Sequence, residues 1–121
     1  MRSTARTTFL ADLLGTALEG GINYWAAIDR TEHAAAPEDV LGWRYDSARI
    51  LDREDGSDFG TMHTIDLDTV AHGLTLMAAN DNPRFDALRL ANRTDGARGD
   101  FDAGDADAVV QLGLYEHIIY G

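Results

Sequence analysis

The sequence contains no cysteine, and this absence excludes disulfide bonds, thiolate zinc sites and cysteine nucleophiles. It also contains no lysine, so all 10 basic residues are arginine. No apolar run approaches the roughly 20 residues that a membrane-spanning helix needs, and the opening MRSTARTTF lacks the apolar centre of a signal peptide. These features predict a protein of a reducing cytoplasm that does not bind membranes.

Acidic residues are the main compositional feature of the chain. Asp and Glu number 21, and the net charge is −11. Residues 1–51 hold seven acids and five arginines, whereas residues 52–121 hold fourteen acids and five arginines. A negative field repels nucleic acid, so we expect no direct nucleic-acid binding, but it suits a basic protein, a divalent cation or plain solubility.

One stretch, TFLADLLGTALEGGINYWAAI at residues 8–28, is expected to organise the fold. Its first part predicts an amphipathic helix, because apolar side chains recur at helical spacing. Gly20-Gly21 is expected to end that helix in a left-handed turn. The alternation from 22 to 28 then predicts a strand. Because Tyr24 and Trp25 point to opposite faces, we expect this strand to be central or to be covered on its second face by a partner.

Two further strands are predicted at residues 43–51 and 61–67, joined as an antiparallel hairpin by the polar turn 52–60. The apolar side chains of the first change faces part-way along it, which requires a bulge near Ser47. Residues 30–42, rich in alanine and acid, are expected to form an exposed loop.

The second half of the chain predicts helices. Asp66 is a suitable N-cap for the first, and Gly73 within it indicates a close backbone contact. Asn82-Pro83 predicts another helix start. A final helix is expected to begin near Asp105, and the apolar tail 117–121 is expected to dock as a helical turn or a strand on the sheet edge.

These elements predict a single α+β domain over residues 1–121, without internal repeats. The order is an N-terminal helix, a three-stranded antiparallel sheet and two or three C-terminal helices, with or without a short C-terminal edge strand.

A metal site is one interpretation of four residues around the start of the first C-terminal helix, which are His63, Asp66, Asp68 and His72. Histidine and carboxylate ligands suit zinc, manganese or iron, and such a site would make the protein a metal-dependent or small-ligand enzyme. Helix capping explains the two aspartates without a metal, and we favour it. The scattered histidines form no Ser-His-Asp order, so the sequence predicts no catalytic residue, metal or cofactor.

Three blocks, FLADLLGTALEGGINYWA, HTIDLDTVAHGL and DAGDADAVVQLGLYEHIIYG, together resemble a family of small, uncharacterised accessory proteins. These are encoded by phages, prophages and plasmids of GC-rich bacteria, and arginine in place of lysine fits such a genome. The resemblance implies a mobile-element protein that acts inside a bacterium. It assigns no catalytic residues.

The leading hypothesis is therefore a non-enzymatic interaction protein that binds a basic host or element protein. One form is an inhibitor of a nucleic-acid-binding defence system, of the anti-CRISPR or anti-restriction type, in which carboxylates stand in for phosphates. The predicted partner-binding residues are Asp86, Asp95, Asp100, Asp102, Asp105 and Asp107. A further alternative is a homo-oligomeric structural protein, with Trp43, Tyr45 and the apolar C-terminus at its interface.

Overall fold

The computed structural model describes residues 1–121, and its elements confirm the predicted α+β order. Helix α1 spans Thr4–Thr16 and continues as a π-helical turn, Ala17–Gly21. The elements that follow are β1 (Ala26–Ala35), β2 (Trp43–Asp52), β3 (Thr61–Asp66), α2 (Leu67–Ala78), a 3₁₀ turn (Pro83–Phe85), α3 (Asp86–Arg93) and α4 (Ala103–Tyr115). None of the helices combines the length and apolarity that crossing a membrane requires.

The three strands form an antiparallel sheet in the order β1-β2-β3, so β2 is central. The prediction of a central strand at 22–28 is wrong. The strand starts at Ala26 and runs to Ala35 along a sheet edge, through much of the predicted loop 30–42. The helix is extended by the π-turn, and Ile22 and Trp25 then enter the core from a turn rather than from a strand.

The glycine pair at the end of this helix serves close packing. Neither Gly20 nor Gly21 adopts a positive φ, so the predicted left-handed stop is wrong. A Cβ at Gly21 would lie 2.7 Å from the carbonyl oxygen of Ala103, at the start of α4. Since real Cβ contacts are longer, Gly21 is required where the π-turn meets α4.

A bulge in β2 confirms the prediction made for the region of Ser47. Glu32 pairs with Ser47 and His33 pairs with Tyr45, which leaves Asp46 as the extra residue. The bulge lets Tyr45 face the same way as Ala48, towards α1. A Cβ built on Gly15 of α1 would lie 3.0 Å from the Tyr45 ring.

Helices α2 and α4 cross with almost no side chain between them. A Cβ at Gly73 would lie 2.0 Å from the Val109 carbonyl oxygen, and one at Gly113 would lie 2.1 Å from that of Thr69. The close contact predicted for Gly73 is confirmed. Asp66 caps α2 as predicted, because its side chain accepts from the Thr69 amide at 2.9 Å.

One core of 25 buried apolar residues lies between α1, the inner face of the sheet and the C-terminal helices. Its largest members include Trp25, Leu10, Leu14 and Leu74, all fully buried. Burying each such side chain stabilises the fold by about 1.5–3 kcal/mol.

The C-terminal segment departs from its prediction in two ways. Helix α4 begins at Ala103 with Asp102 as N-cap, because Asp102 and Asp105 cap each other reciprocally. The tail forms neither a strand nor a helical turn. It is instead held by Gln111, whose Oε1 accepts from the Ile119 and Tyr120 amides at 2.8 Å each.

Candidate functional site

A cavity of about 480 Å³ opens between α1 and the start of β2. This volume falls in the range of small-ligand sites, about 300–1,000 Å³. Its polar and aromatic lining comes from α1, the π-turn, the β1–β2 loop and β2. These lining residues are Asp12, Thr16, Glu19, Asp39, Trp43, Arg44 and Tyr45, and the ring of Phe101 joins them from the segment between α3 and α4.

The rim on α1 follows from helical spacing. Asp12, Thr16 and Glu19 lie four and three residues apart, so they form one row beside the apolar face of the helix. Because the apolar face is buried in the core, the side chains of this row line the cavity. Gly15 lies below the row, where its missing side chain leaves room for the Tyr45 ring.

The β1–β2 loop forms the opposite side of the cavity mouth. The Ala36 amide donates to the Gly42 carbonyl at 3.0 Å, and Gly42 has a φ of 72° that favours glycine. Asp39 accepts from the Leu41 amide at 3.0 Å, which fixes its carboxylate. Leu41 itself is 65% exposed.

Three rings brace one another along the wall formed by β1 and β2. The His33 and Trp43 centroids are 4.5 Å apart, and those of Trp43 and Tyr45 are 5.3 Å apart with planes at 87°. Edge-to-face packing of this kind fixes ring orientation. Trp43 and Tyr45 therefore line the cavity as a preformed aromatic wall.

The cavity carries unbalanced negative charge. Asp12, Glu19 and Asp39 take part in no ion pair, whereas Arg44 is 3.6 Å from Glu38. Burial, and then the nearby charge of Asp39, raise the pKa of Asp12. Burial, and then the charge of Glu19, raise the pKa of Tyr45. A cation placed among these groups would relieve the repulsion between Asp12 and Asp39.

A second polar cluster lies under the sheet, around Asp52. This fully buried carboxylate accepts from the hydroxyls of Tyr115 at 2.5 Å and Tyr120 at 2.8 Å. The Tyr115 oxygen lies 3.1 Å from His63 Nε2. Burial and the bond to Asp52 raise the pKa of Tyr120 to about 12, and that of Tyr115 further. Both tyrosines therefore stay protonated donors, which is a structural role.

Asp107 is the second buried acceptor. It accepts from Trp25 Nε1 at 2.8 Å, the Tyr24 hydroxyl at 2.6 Å and Gln111 Nε2 at 2.9 Å. Sequence reasoning missed this cluster, although a signal existed. Asp107 and Gln111 are four residues apart on one face of α4, among residues that are nearly all apolar.

The structure does not gather the six predicted partner-binding aspartates into one exposed patch. Asp105 and Asp107 are buried, at 8% and 7% exposure, and accept hydrogen bonds from within the chain, so their role as partner contacts stays a prediction. Asp86 pairs with Arg89, and Asp95 lies 3.2 Å from Arg6. Only two of the six are exposed and outside ion pairs, namely Asp100 and Asp102.

The four residues of the alternative metal site are also kept apart. Asp68 binds Arg2 at 2.5 Å, and His72 lies 3.5 Å from Glu116. Asp66 caps α2, and His63 contacts Tyr115. Nowhere do three His, Asp or Glu residues lie close enough to hold a metal ion. The enzyme hypothesis in this form therefore has no assembled site.

Comparison with known proteins adds no relative: no protein-family model, curated protein or solved structure matches the chain. The resemblance to mobile-element accessory proteins stays a prediction.

Proposed function

We propose that the protein is a non-enzymatic acidic interaction protein that binds a basic protein partner. The distribution of ion pairs supports this most directly. Six of the ten arginines are paired with carboxylates of the same chain. Among the carboxylates without an arginine partner, two groups lie close together, and each offers concentrated negative charge to another molecule.

The first group lines the cavity, and the second lies on the β2–β3 turn. The turn presents Glu54, Asp55 and Asp58, all exposed. Hydrogen bonds from Ser57 lower the pKa of Asp55 to about 2, so this carboxylate stays charged even in mildly acidic solution. Phe59 beside them is 91% exposed. An exposed aromatic ring next to charge is typical of an anchor in a protein interface.

The specific form that we propose is an inhibitor of a host nucleic-acid-binding defence system, acting in the bacterial cytoplasm. Its carboxylates would occupy the basic surface that otherwise meets phosphates, and it would act by occlusion. Complementary charge of this kind mainly raises the association rate and suppresses wrong partners. The resemblance to phage and plasmid accessory proteins supports this form.

The test is binding to a basic restriction nuclease and to a Cas effector complex at increasing salt, with DNA as competitor. We expect affinity to fall as salt rises, and DNA to displace the protein. The triple variant Glu54→Gln/Asp55→Asn/Asp58→Asn should weaken binding. A control triple, Asp29→Asn/Glu32→Gln/Asp68→Asn, makes the same charge change at arginine-paired sites and should weaken it less. Salt-insensitive binding would contradict charge mimicry.

A further inference from the structure

We infer that the cavity between α1 and β2 is a receptor for an arginine side chain presented by the protein partner. This inference rests on the proposed function and assigns one of its contacts. It follows from three properties that meet in the same cavity, which are unpaired carboxylates, a fixed aromatic wall and an apolar lip.

The carboxylates define the charge of the occupant. Asp12 and Glu19 come from the helical side and Asp39 from the loop side, so negative groups face the cavity from both sides. The one cationic lining residue, Arg44, already has Glu38 as its partner at 3.6 Å. A ligand that neutralises the negative charge of this cavity is therefore a cation.

The aromatic wall defines the shape of that cation. A guanidinium is planar and weakly hydrated, and it stacks on aromatic faces while donating to carboxylates at its edge. The His33 ring packs against both Trp43 and Tyr45, and Gly15 leaves room for the Tyr45 ring, so the wall exists before anything binds. A bare metal ion would gain nothing from these rings, and the carboxylates are not grouped as metal ligands.

The cavity mouth favours an arginine that belongs to a polypeptide. Val40 and Leu41 are 102% and 65% exposed beside Asp39, and they offer apolar contact to neighbouring residues of a bound segment. In addition, Arg44 Nε is buried with no hydrogen-bond partner. A peptide brings a carbonyl next to its basic side chain, and a shift of the Arg44 guanidinium would allow it to donate to that carbonyl.

The two tryptophans allow a direct test with the full chain. A blocked Gly-Arg-Gly peptide is titrated while the indole N–H signals are followed by NMR. Trp43 lines the cavity, whereas Trp25 is fully buried and donates to Asp107, so it is an internal control. We expect a saturable shift of the Trp43 signal alone. Gly-citrulline-Gly, neutral and of the same shape, should give no such shift.

Variants then assign the contact. Asp12→Asn and Asp39→Asn should each raise the dissociation constant of the arginine peptide roughly tenfold, the equivalent of about 1.4 kcal/mol. Asn at 39 keeps the oxygen that accepts from Leu41, which protects the loop. Asp81→Asn makes the same charge change at an exposed carboxylate outside the cavity and should bind like the unaltered chain.

Four results would overturn the inference. They are an unsaturable Trp43 shift, an equal shift with the citrulline peptide, equal weakening by Asp81→Asn, and tighter binding of spermidine, which would make the occupant a free polyamine. The arginine peptide could fail to bind although the protein still binds a basic protein in a salt-sensitive way and DNA competes for that binding. In that case the inference is wrong and the proposed function stands. If the peptide binds but no basic protein does, the proposed function falls.

Discussion

The ring of Tyr120 stacks on the buried indole of Trp25, with centroids 5.2 Å apart and planes at 25°. The same two residues donate to the two buried carboxylates. Tyr120 donates to Asp52 at 2.8 Å, and Trp25 donates to Asp107 at 2.8 Å. The stack therefore joins the C-terminal segment, the central strand and α4. It also supplies a hydrogen-bond donor to each of the two buried carboxylates.

Removing the Tyr120 side chain should release this junction. We expect Tyr120→Ala to lower the free energy of unfolding by about 3 kcal/mol, and Tyr120→Phe by about 1–2 kcal/mol because one hydrogen bond is lost. Urea unfolding followed by tryptophan fluorescence measures both. Ile119→Ala, at a half-exposed neighbour, should change little. Equal stability of the Ala variant and the unaltered chain would show that the tail is not docked.

Stability should decline at alkaline pH. Burial and hydrogen bonds to carboxylates raise the pKa of Tyr24 and of Tyr120 to about 12, against about 10 in an unfolded chain. The folded state therefore holds these protons more tightly. Their stabilising effect is complete below about pH 10 and is lost as the pH rises towards 12.

The measurement is a set of urea unfolding curves from pH 8 to 12, with tyrosinate absorbance followed in parallel. Tyr120→Phe should show a smaller decline across this window than the unaltered chain. A decline that is complete below pH 10 would contradict the assignment to these tyrosines.

The crossing of α2 and α4 should tolerate no side chain. Gly73→Ala would place a methyl group 2.0 Å from a backbone oxygen, so we expect a loss of about 3 kcal/mol or more. The matched control is Gly20→Ala, where no atom lies within 4 Å of the new methyl group. That variant should be neutral or more stable by up to about 1 kcal/mol. Thermal unfolding of the two variants separates packing from helix propensity.

Local signals in the sequence predicted most of the fold. The α1 periodicity, the bulge next to Ser47, the Asp66 cap and the Gly73 contact each depend on a few neighbouring residues, and each is confirmed. The strand predicted at 22–28 failed because the chain turns from Ile22 to Trp25 before β1 begins, and the Trp25 and Ala26 amides donate to the Ile22 carbonyl. This turn places Trp25 against Asp107 of α4, a contact distant in sequence that a local pattern does not reveal.

The candidate site was less predictable than the fold. Helical spacing is enough to place Asp12 and Glu19 off the apolar face of α1, but no pattern in the sequence places the loop with Asp39 opposite them. That placement depends on β1 reaching Ala35 and on the bulge that turns Trp43 and Tyr45 towards α1. The excess of acid in the second half was a property of composition. It could not show which carboxylates the protein itself uses as buried acceptors.

The roles of two aspartates from the predicted partner-binding set can be separated by stability. Asp107→Ala removes the acceptor of three donors and leaves the buried Trp25 indole unpaired, so we expect a loss of about 3 kcal/mol or more. Asp100→Asn, at an exposed site, should stay within about 0.5 kcal/mol. Urea unfolding gives both values, and the Trp25 indole N–H signal should move only in the first variant. If Asp107→Ala were as stable as the unaltered chain, the buried cluster would not support the fold, and Asp107 would remain a candidate for partner binding.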